Sequence, residues 1–321
     1  MKKYFVIAFI FLTAASCKES FEPFGELKNR YTLNCVIKAD TSFQIASLTR
    51  TYYNDNYNPY SNTSDVNVSG ALIRLWNGDS LVVFRDSIFN KPPNSKYNNP
   101  YHLYYTNKFK LAGSALNLEA ILPDGTRLTG SATIPNDIKF VFTDDVVPPR
   151  NKTNLEFIWE RGSADNAYLT QLSIYYYKAD DPLKTVKVAY VPANYVFQNG
   201  TYFPIQPKPN NANKLVVDVE TISRTMEFIS AGDPNKANYV ILGPFLEVLS
   251  FGKSLSTYFN SIARANDAYT VNLNEVDYSN INNGLGVFGV YLKKYWSIDF
   301  THAYIRSFGY TPGLADVEPP L

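Results

Sequence analysis

The sequence predicts a mainly β protein, and three observations lead to that prediction. The 321-residue chain contains 25 Tyr and 21 Phe, and aromatic residues are enriched in strands. Apolar runs of strand length follow one another along the chain, and several of them alternate apolar with polar residues. Sequences rich in Gly, Pro, Asn and Asp separate these runs and indicate turns. A chain of this length usually forms two domains, each with its own core.

The first domain is predicted over residues 31–135. Its strand-length runs are 31–38, 43–51, 66–76, 80–85, 101–106, 115–122 and 126–134. In the third run, Ile73 and Leu75 share one face of a strand, while Arg74 and Trp76 share the other. Turn sequences at 77–79, 92–94 and 123–126 separate neighbouring runs. This many short strands in about a hundred residues favours a β-sandwich.

The second domain is predicted over residues 136–310, followed by a C-terminal tail at 311–321. Strand patterns occupy residues 154–159, 168–177, 185–191 and 214–219. Apolar residues at helical spacing in 220–229 and 254–265 predict two short helices that cover a sheet. The polar, Pro-rich segment 144–150 is interpreted either as a linker between the domains or as a loop just inside the second.

The N-terminus has the pattern of a lipoprotein signal peptide. Lys2 and Lys3 precede an apolar run at residues 4–12, and a small-residue segment then ends at Cys17. This lipobox predicts cleavage after residue 16, lipidation of Cys17 and a tether over residues 17–30. An ordinary secretory signal is the alternative. A transmembrane anchor is disfavoured because the apolar run is much shorter than the roughly 20 residues that span a bilayer.

The charge balance argues against a nucleic-acid partner, and the cysteine content argues against an intramolecular disulfide. Of the 30 Lys and Arg, the signal peptide removes Lys2 and Lys3, which leaves 28 against 29 Asp and Glu. This balance predicts no nucleic-acid partner. With Cys17 acylated, Cys35 has no cysteine in the chain to pair with, and its apolar neighbours predict a buried core thiol.

The sequence contains no convincing catalytic, cofactor or metal motif. Residues 284–289 spell a glycine pattern of dinucleotide-binding proteins, but no strand precedes it and no helix pattern follows it. We interpret these glycines as a tight turn, a bulge or close backbone packing within a sheet. His102 and His302 have no partner at ligand spacing, and the acidic pairs at 144–145 and 180–181 are interpreted as solvated loops. The sequence therefore predicts a protein that is not an enzyme and has no cofactor or metal.

A tyrosine-rich polar loop is the predicted contact surface. Tyr52, Tyr53, Tyr57 and Tyr60 lie among Asn and Asp residues. Aromatic faces with amide neighbours can stack on sugars or contact a protein partner. The tyrosines at 104–105 and 175–177 lie inside strand patterns, so we expect them to pack within sheets.

Four stretches resemble a known family. They are the lipobox that ends at Cys17, residues 31–51, residues 68–75 and the late glycine-containing segment 278–289. Together they resemble the Bacteroidota lipoproteins of domain of unknown function 4249, and residues 68–71 also resemble Ig-like and transthyretin-like modules. The resemblance implies an envelope lipoprotein with an Ig-like or transthyretin-like first sandwich, often encoded near TonB-dependent transporters. It implies no catalytic residues.

The leading functional hypothesis is a non-enzymatic outer-membrane lipoprotein that serves a TonB-dependent transporter or an envelope assembly as an accessory or binding subunit. The residues after Cys17, Lys18 followed by acids, resemble surface-export tags of Bacteroidota lipoproteins. Surface display is therefore favoured over a periplasm-facing orientation. The alternative is a surface glycan- or peptide-binding module that acts alone, and the last candidate is an envelope hydrolase built around His102 or His302.

Overall fold

The computed structural model describes residues 30–52, 66–90, 100–163, 165–265 and 278–315. It is mainly β, with 51% strand and 12% helix, which confirms the predicted fold class. Within these ranges, none of the helices is both long enough and apolar enough to cross a bilayer.

The strands and helices follow one another in a predominantly β order. The first strands are β1 (Tyr31–Lys38), β2 (Gln44–Arg50), β3 (Leu72–Asn77), β4 (Ser80–Val83), β5 (Arg85–Phe89), β6 (Tyr101–Thr106), β7 (Ala115–Ile121), β8 (Arg127–Thr133), β9 (Phe140–Thr143) and β10 (Val146–Val147). The later strands are β11 (Asn154–Trp159), β12 (Ala167–Lys178), β13 (Lys187–Val191), β14 (Asn194–Gln198), β15 (Thr201–Ile205), β16 (Lys214–Asp218), β17 (Tyr239–Phe251), β18 (Ile281–Asn282), β19 (Phe288–Ser297), β20 (Asp299–Phe300) and β21 (Thr311–Pro312). The helices are α1 (Val219–Phe228), α2 (Lys253–Ala265) and α3 (His302–Ser307), with a 3₁₀ turn at Lys236–Asn238.

One nine-stranded sheet runs through the molecule. Its order is β13-β12-β17-β19-β1-β2-β6-β5, and β21 pairs beside β17. Strand β19 lies parallel to β1, with Phe288 opposite Cys35, and antiparallel to β17, with Leu246 opposite Trp296. The N-terminal strands and the long C-terminal strands therefore belong to one sheet.

A five-stranded sheet, β18-β8-β7-β3-β4, closes the first core. Leu33 and Ile37 of β1 pack there with Ile73 and Leu75 of β3, and all four are fully buried. Arg74 and Trp76 are only partly buried, so the predicted alternation of this strand is confirmed. The same core also takes three residues from beyond position 280, namely Ile281, Phe288 and Val290. The boundary near residue 136 stays a prediction.

The second core lies between strands β12, β13 and β17 of the large sheet and the sheet β16-β11-β9. Helices α1 and α3 also pack against it. Trp159 of β11 and Leu246 of β17 are buried there against Ile222 and Met226 of α1. Helices α1 and α2 match the predicted segments 220–229 and 254–265 to within one residue at each end. Val147, in the Pro-rich segment 144–150, is fully buried in this core. That segment therefore lies inside the second β-rich region.

Candidate functional site

An apolar groove lies between helix α2 and the nine-stranded sheet. It has a volume of about 830 Å³ and lies on the face of the nine-stranded sheet opposite the first core. Side chains of β1 alternate between the two sides, so Leu33 and Cys35 enter the core while Asn34 and Val36 line the groove. Its remaining lining includes Leu169, Leu249, Phe251, Leu255, Tyr258, Phe259, Ile262, Tyr278, Leu285, Val287 and Tyr291.

Helix α2 forms one wall of the groove and is held close to the sheet. Leu255 packs directly over Gly289, where a Cβ would overlap the Leu255 side chain. Ser256 Oγ accepts a hydrogen bond of 2.8 Å from the Ala167 N–H and donates one of 3.2 Å to the Phe251 carbonyl. Because this serine is buried and its hydroxyl is satisfied, the start of the helix is fixed to β12 and β17.

The glycine-containing segment forms a second wall and extends the sheet beyond β19. The Leu33 N–H donates to the Leu285 carbonyl at 2.8 Å, and the Leu285 N–H donates to the Tyr31 carbonyl at 2.8 Å. Gly286 follows Leu285 with φ +117°, and a Cβ there would overlap the Leu33 carbonyl oxygen. Close backbone packing within a sheet is therefore the confirmed interpretation of Gly286. The dinucleotide pattern reflects packing of this segment against β1.

The groove lining is apolar, aromatic and uncharged. Its polar side chains are neutral, and Asn34 Oδ1 already accepts a 2.9 Å hydrogen bond from the Val287 N–H. Val36 and Ile262 expose apolar surface inside the groove. Burial is the main cause that raises the pKa of the Tyr291 phenol above its ordinary value, so this lining residue is neutral at physiological pH. These features suit burial of another apolar surface.

Only one of the predicted contact tyrosines falls on described residues. Tyr52 follows β2 and is exposed, and it does not line the groove. Tyr53, Tyr57 and Tyr60 lie outside the described residues, and so does the predicted lipidation site Cys17. The contact loop and the anchor therefore stay predictions.

The two histidines lie far apart in the chain and in different elements. His102, on β6, has its Nδ1 at 3.9 Å from Asp86 Oδ1. His302 begins α3, and its Nε2 lies 2.7 Å from the Leu314 carbonyl oxygen. Among the residues that the structure describes, no three His, Cys, Asp or Glu side chains are placed to hold a metal ion.

The acidic pairs and the core cysteine have structural contacts. Asp144 pairs with Lys152 at 2.9 Å and accepts the Glu156 N–H at 2.8 Å. Asp181 accepts the N–H groups of Leu183 and Thr185 within its own turn. Cys35 is 1% exposed, and burial raises the pKa of its thiol to about 12. The prediction of a buried core thiol is confirmed.

Sequence reasoning missed the groove because its walls come from distant parts of the chain. The apolar stripe of α2 is visible in the sequence, where it predicts only a helix that covers a sheet. One signal could have found the groove: Ile262 continues the stripe at helical spacing and is an exposed apolar residue in the folded chain. An apolar stripe longer than its sheet contact indicates a binding surface.

Comparison with known proteins adds no relative. No protein-family model matches the chain, and a search of curated proteins finds no significant match.

Proposed function

We propose that the chain is a non-enzymatic lipoprotein of the outer membrane that binds an apolar segment of a protein partner in the groove beside α2. The partner class is a TonB-dependent transporter or an envelope assembly, which the chain serves as an accessory subunit. The single observation that carries the proposal is the groove itself, with a volume of about 830 Å³ and an uncharged apolar lining.

The energetics of the groove favour binding over catalysis of a polar reaction. Burial of apolar surface contributes about 25 cal/mol per Å², and the lining offers such surface on both walls. The walls are held by backbone pairing at Leu285 and by the buried Ser256 contacts. Because the groove is pre-formed, this chain loses little conformational entropy when a partner segment enters.

The proposed anchor places the groove near a membrane. Arg30, the first described residue, is thirteen positions after Cys17, and an extended chain spans at most about 3.6 Å per position, roughly 47 Å in total. Two or three acyl chains on Cys17 give stable anchoring. This reach lets the folded part contact an outer-membrane protein, with the surface-exposed face of the membrane favoured by the residues after Cys17.

The test is affinity purification of the tagged, lipidated full chain from outer membranes, with mass spectrometry of the co-purifying proteins. Ile262→Glu puts a charge into the groove, whereas Val216→Glu puts the same charge on an exposed strand position outside it. We expect a transporter barrel or assembly subunit with the wild type and with Val216→Glu. Ile262→Glu and the unlipidated Cys17→Ala variant should lose it.

Two results would contradict the proposal. Recovery of the bait alone from wild-type membranes would remove the accessory role and leave the glycan- or peptide-binding loop at Tyr52, Tyr53, Tyr57 and Tyr60 as the next candidate. Equal recovery of the partner with Ile262→Glu and Val216→Glu would show that the partner binds elsewhere.

A further inference from the structure

Strand β4 forms an open edge of the five-stranded sheet, away from the groove beside α2. It pairs with β3 on one side and has no partner on the other among the residues that the structure describes. A second cavity of about 440 Å³ lies along this open side, between β4 and the segment 106–110. The cavity runs beside backbone that could accept a further strand.

The pairing pattern shows which backbone groups of β4 face this cavity. Asn77 lies opposite Ser80 and Leu75 opposite Val82, and the Phe84 N–H donates to the Ile73 carbonyl at 3.0 Å. Hydrogen-bonded pairs alternate along an antiparallel ladder, so these residues face β3. Leu81 and Val83 therefore direct their N–H and C=O groups away from the sheet.

Leu81 and Val83 also expose apolar side chains. Leu81 is 50% exposed and Val83 is 46% exposed. Val82, between them, is buried in the first core. An edge with outward backbone groups and exposed apolar side chains is the surface to which extended peptides add as a strand.

The charged side chains that line the cavity are all positive. Arg85, Lys108 and Lys110 line it and are exposed. In the described part of the chain, none of these three side chains forms an ion pair. Asp86, the next residue after Arg85, accepts a 2.7 Å hydrogen bond from the Gly70 N–H and does not line the cavity.

From this geometry we propose that the β4 edge binds an extended, acidic segment of a partner protein by strand addition. The outward N–H and C=O groups of Leu81 and Val83 pair with the backbone of that segment. Arg85, Lys108 and Lys110 attract its carboxylates, which gives the edge its preference for acidic sequences. This site is separate from the groove beside α2 and does not depend on the function proposed for it.

The probe is a blocked, fluorescent heptapeptide of alternating valine and glutamate, whose anisotropy is measured with the full chain in detergent. A second peptide replaces glutamate by lysine, and a third carries N-methyl groups at alternate residues, which block strand pairing without a change of charge. We expect saturable binding of the first peptide, weakened by added salt, and no binding of the other two.

Protein variants separate the charge from the backbone contribution. Lys108→Ala with Lys110→Ala should weaken binding about fivefold or more, because two charge contacts are lost. Lys139→Ala with Lys253→Ala removes the same charge from side chains that are 70% and 66% exposed elsewhere, and should change binding by less than about twofold. Leu81→Pro removes an outward N–H that β3 does not use, so the strand pair should remain and binding should be lost.

Several outcomes would overturn the proposal. Lack of saturable binding up to about 1 mM peptide, equal binding of the N-methylated peptide, or unchanged binding by the double lysine variant would each do so. Sedimentation of the full chain tests whether a second copy of the chain occupies the edge, because it measures the oligomeric state. A dimer that Leu81→Pro abolishes would assign the edge to a second copy of this chain.

Discussion

Gly286 and Gly289 lie where the sheet leaves no room for a side chain. At Gly286 the φ of +117° excludes most other residues, and the Leu33 carbonyl oxygen occupies the position of a Cβ. At Gly289 the Leu255 side chain of α2 occupies that position. The groove therefore depends on the absence of a side chain at both positions. Gly286 allows the close approach of the β1 backbone, and Gly289 allows the close approach of α2.

Gly286→Ala should destabilise the fold by about 3–5 kcal/mol, because backbone strain and overpacking add at one position. Gly200→Ala is the matched control. Gly200 has φ +80° but nothing within 4 Å of a Cβ, so only backbone strain is expected there, about 1–2 kcal/mol. Urea denaturation of the two variants measures the difference. Equal losses of stability would contradict the close approach of Gly286 to Leu33.

Cys35 gives the fold a dependence on alkaline pH. Burial raises the pKa of its thiol from 9.0 to about 12, so above pH 9 the unfolded chain loses a proton that the folded chain keeps. Stability from this group is complete below pH 9 and is lost as the pH rises towards 12. Between about pH 9 and pH 10, the free energy of unfolding should fall by about 1 kcal/mol relative to a Cys35→Ala variant. Parallel pH profiles of the two proteins would contradict this.

At the scale of elements, local patterns predicted most strands and two helices. Strands β1, β6 and β11 have the predicted bounds, because alternation of apolar residues over a half-buried strand is a local property. The hairpin of β14 and β15 was missed although Asn199-Gly200 lies at its turn, with φ +50° and +80°. Such a pair between apolar runs is a strong hairpin indicator, so this hairpin could have been predicted from the sequence.

Pairings between distant elements could not be predicted. The parallel neighbours β1 and β19 are separated by almost the whole chain, and nothing in either segment specifies the other. The same holds for the groove, whose walls bring Val36, Leu249 and Ile262 together. The buried face of a strand can be predicted from that segment alone, whereas a cavity between segments depends on how the topology brings them together.

Glu119 links three strands of the five-stranded sheet. Its carboxylate lies 2.8 Å from Arg74 Nε on β3 and 2.5 Å from Arg127 Nε on β8, and its side chain is only 3% exposed. Glu119→Ala should therefore lower the free energy of unfolding by about 1–2 kcal/mol. Glu160→Ala breaks an exposed pair with Lys139 at 3.7 Å and should cost less than about 0.5 kcal/mol. Thermal or urea unfolding compares the two, and equal effects would contradict the inference.

At the scale of the molecule, β19 joins the two cores. It lies between β17 and β1 in the nine-stranded sheet, and its Phe288 and Val290 are fully buried in the first core. Further along the same strand, Trp296 packs against the second core. Residues 31–135 contain most strands of the sandwich, but they do not include β19. They therefore lack the strand that pairs with one edge of β1 and the core side chains Phe288 and Val290.

A fragment of residues 31–135 should consequently fail to unfold cooperatively. Removal of β19 exposes the β1 edge and the apolar side chains that Phe288 and Val290 cover, and loss of a large core side chain typically costs about 3–5 kcal/mol. That is comparable to the whole stability of many domains. A second fragment, in which a flexible linker joins residues 278–297 to residue 135, restores β18 and β19 and should regain a cooperative transition. Circular dichroism during urea titration, with dispersion of amide resonances, measures both. Cooperative unfolding of the first fragment at the midpoint of the second would show that residues 31–135 form an independent domain, and that β19 docks on a finished sandwich.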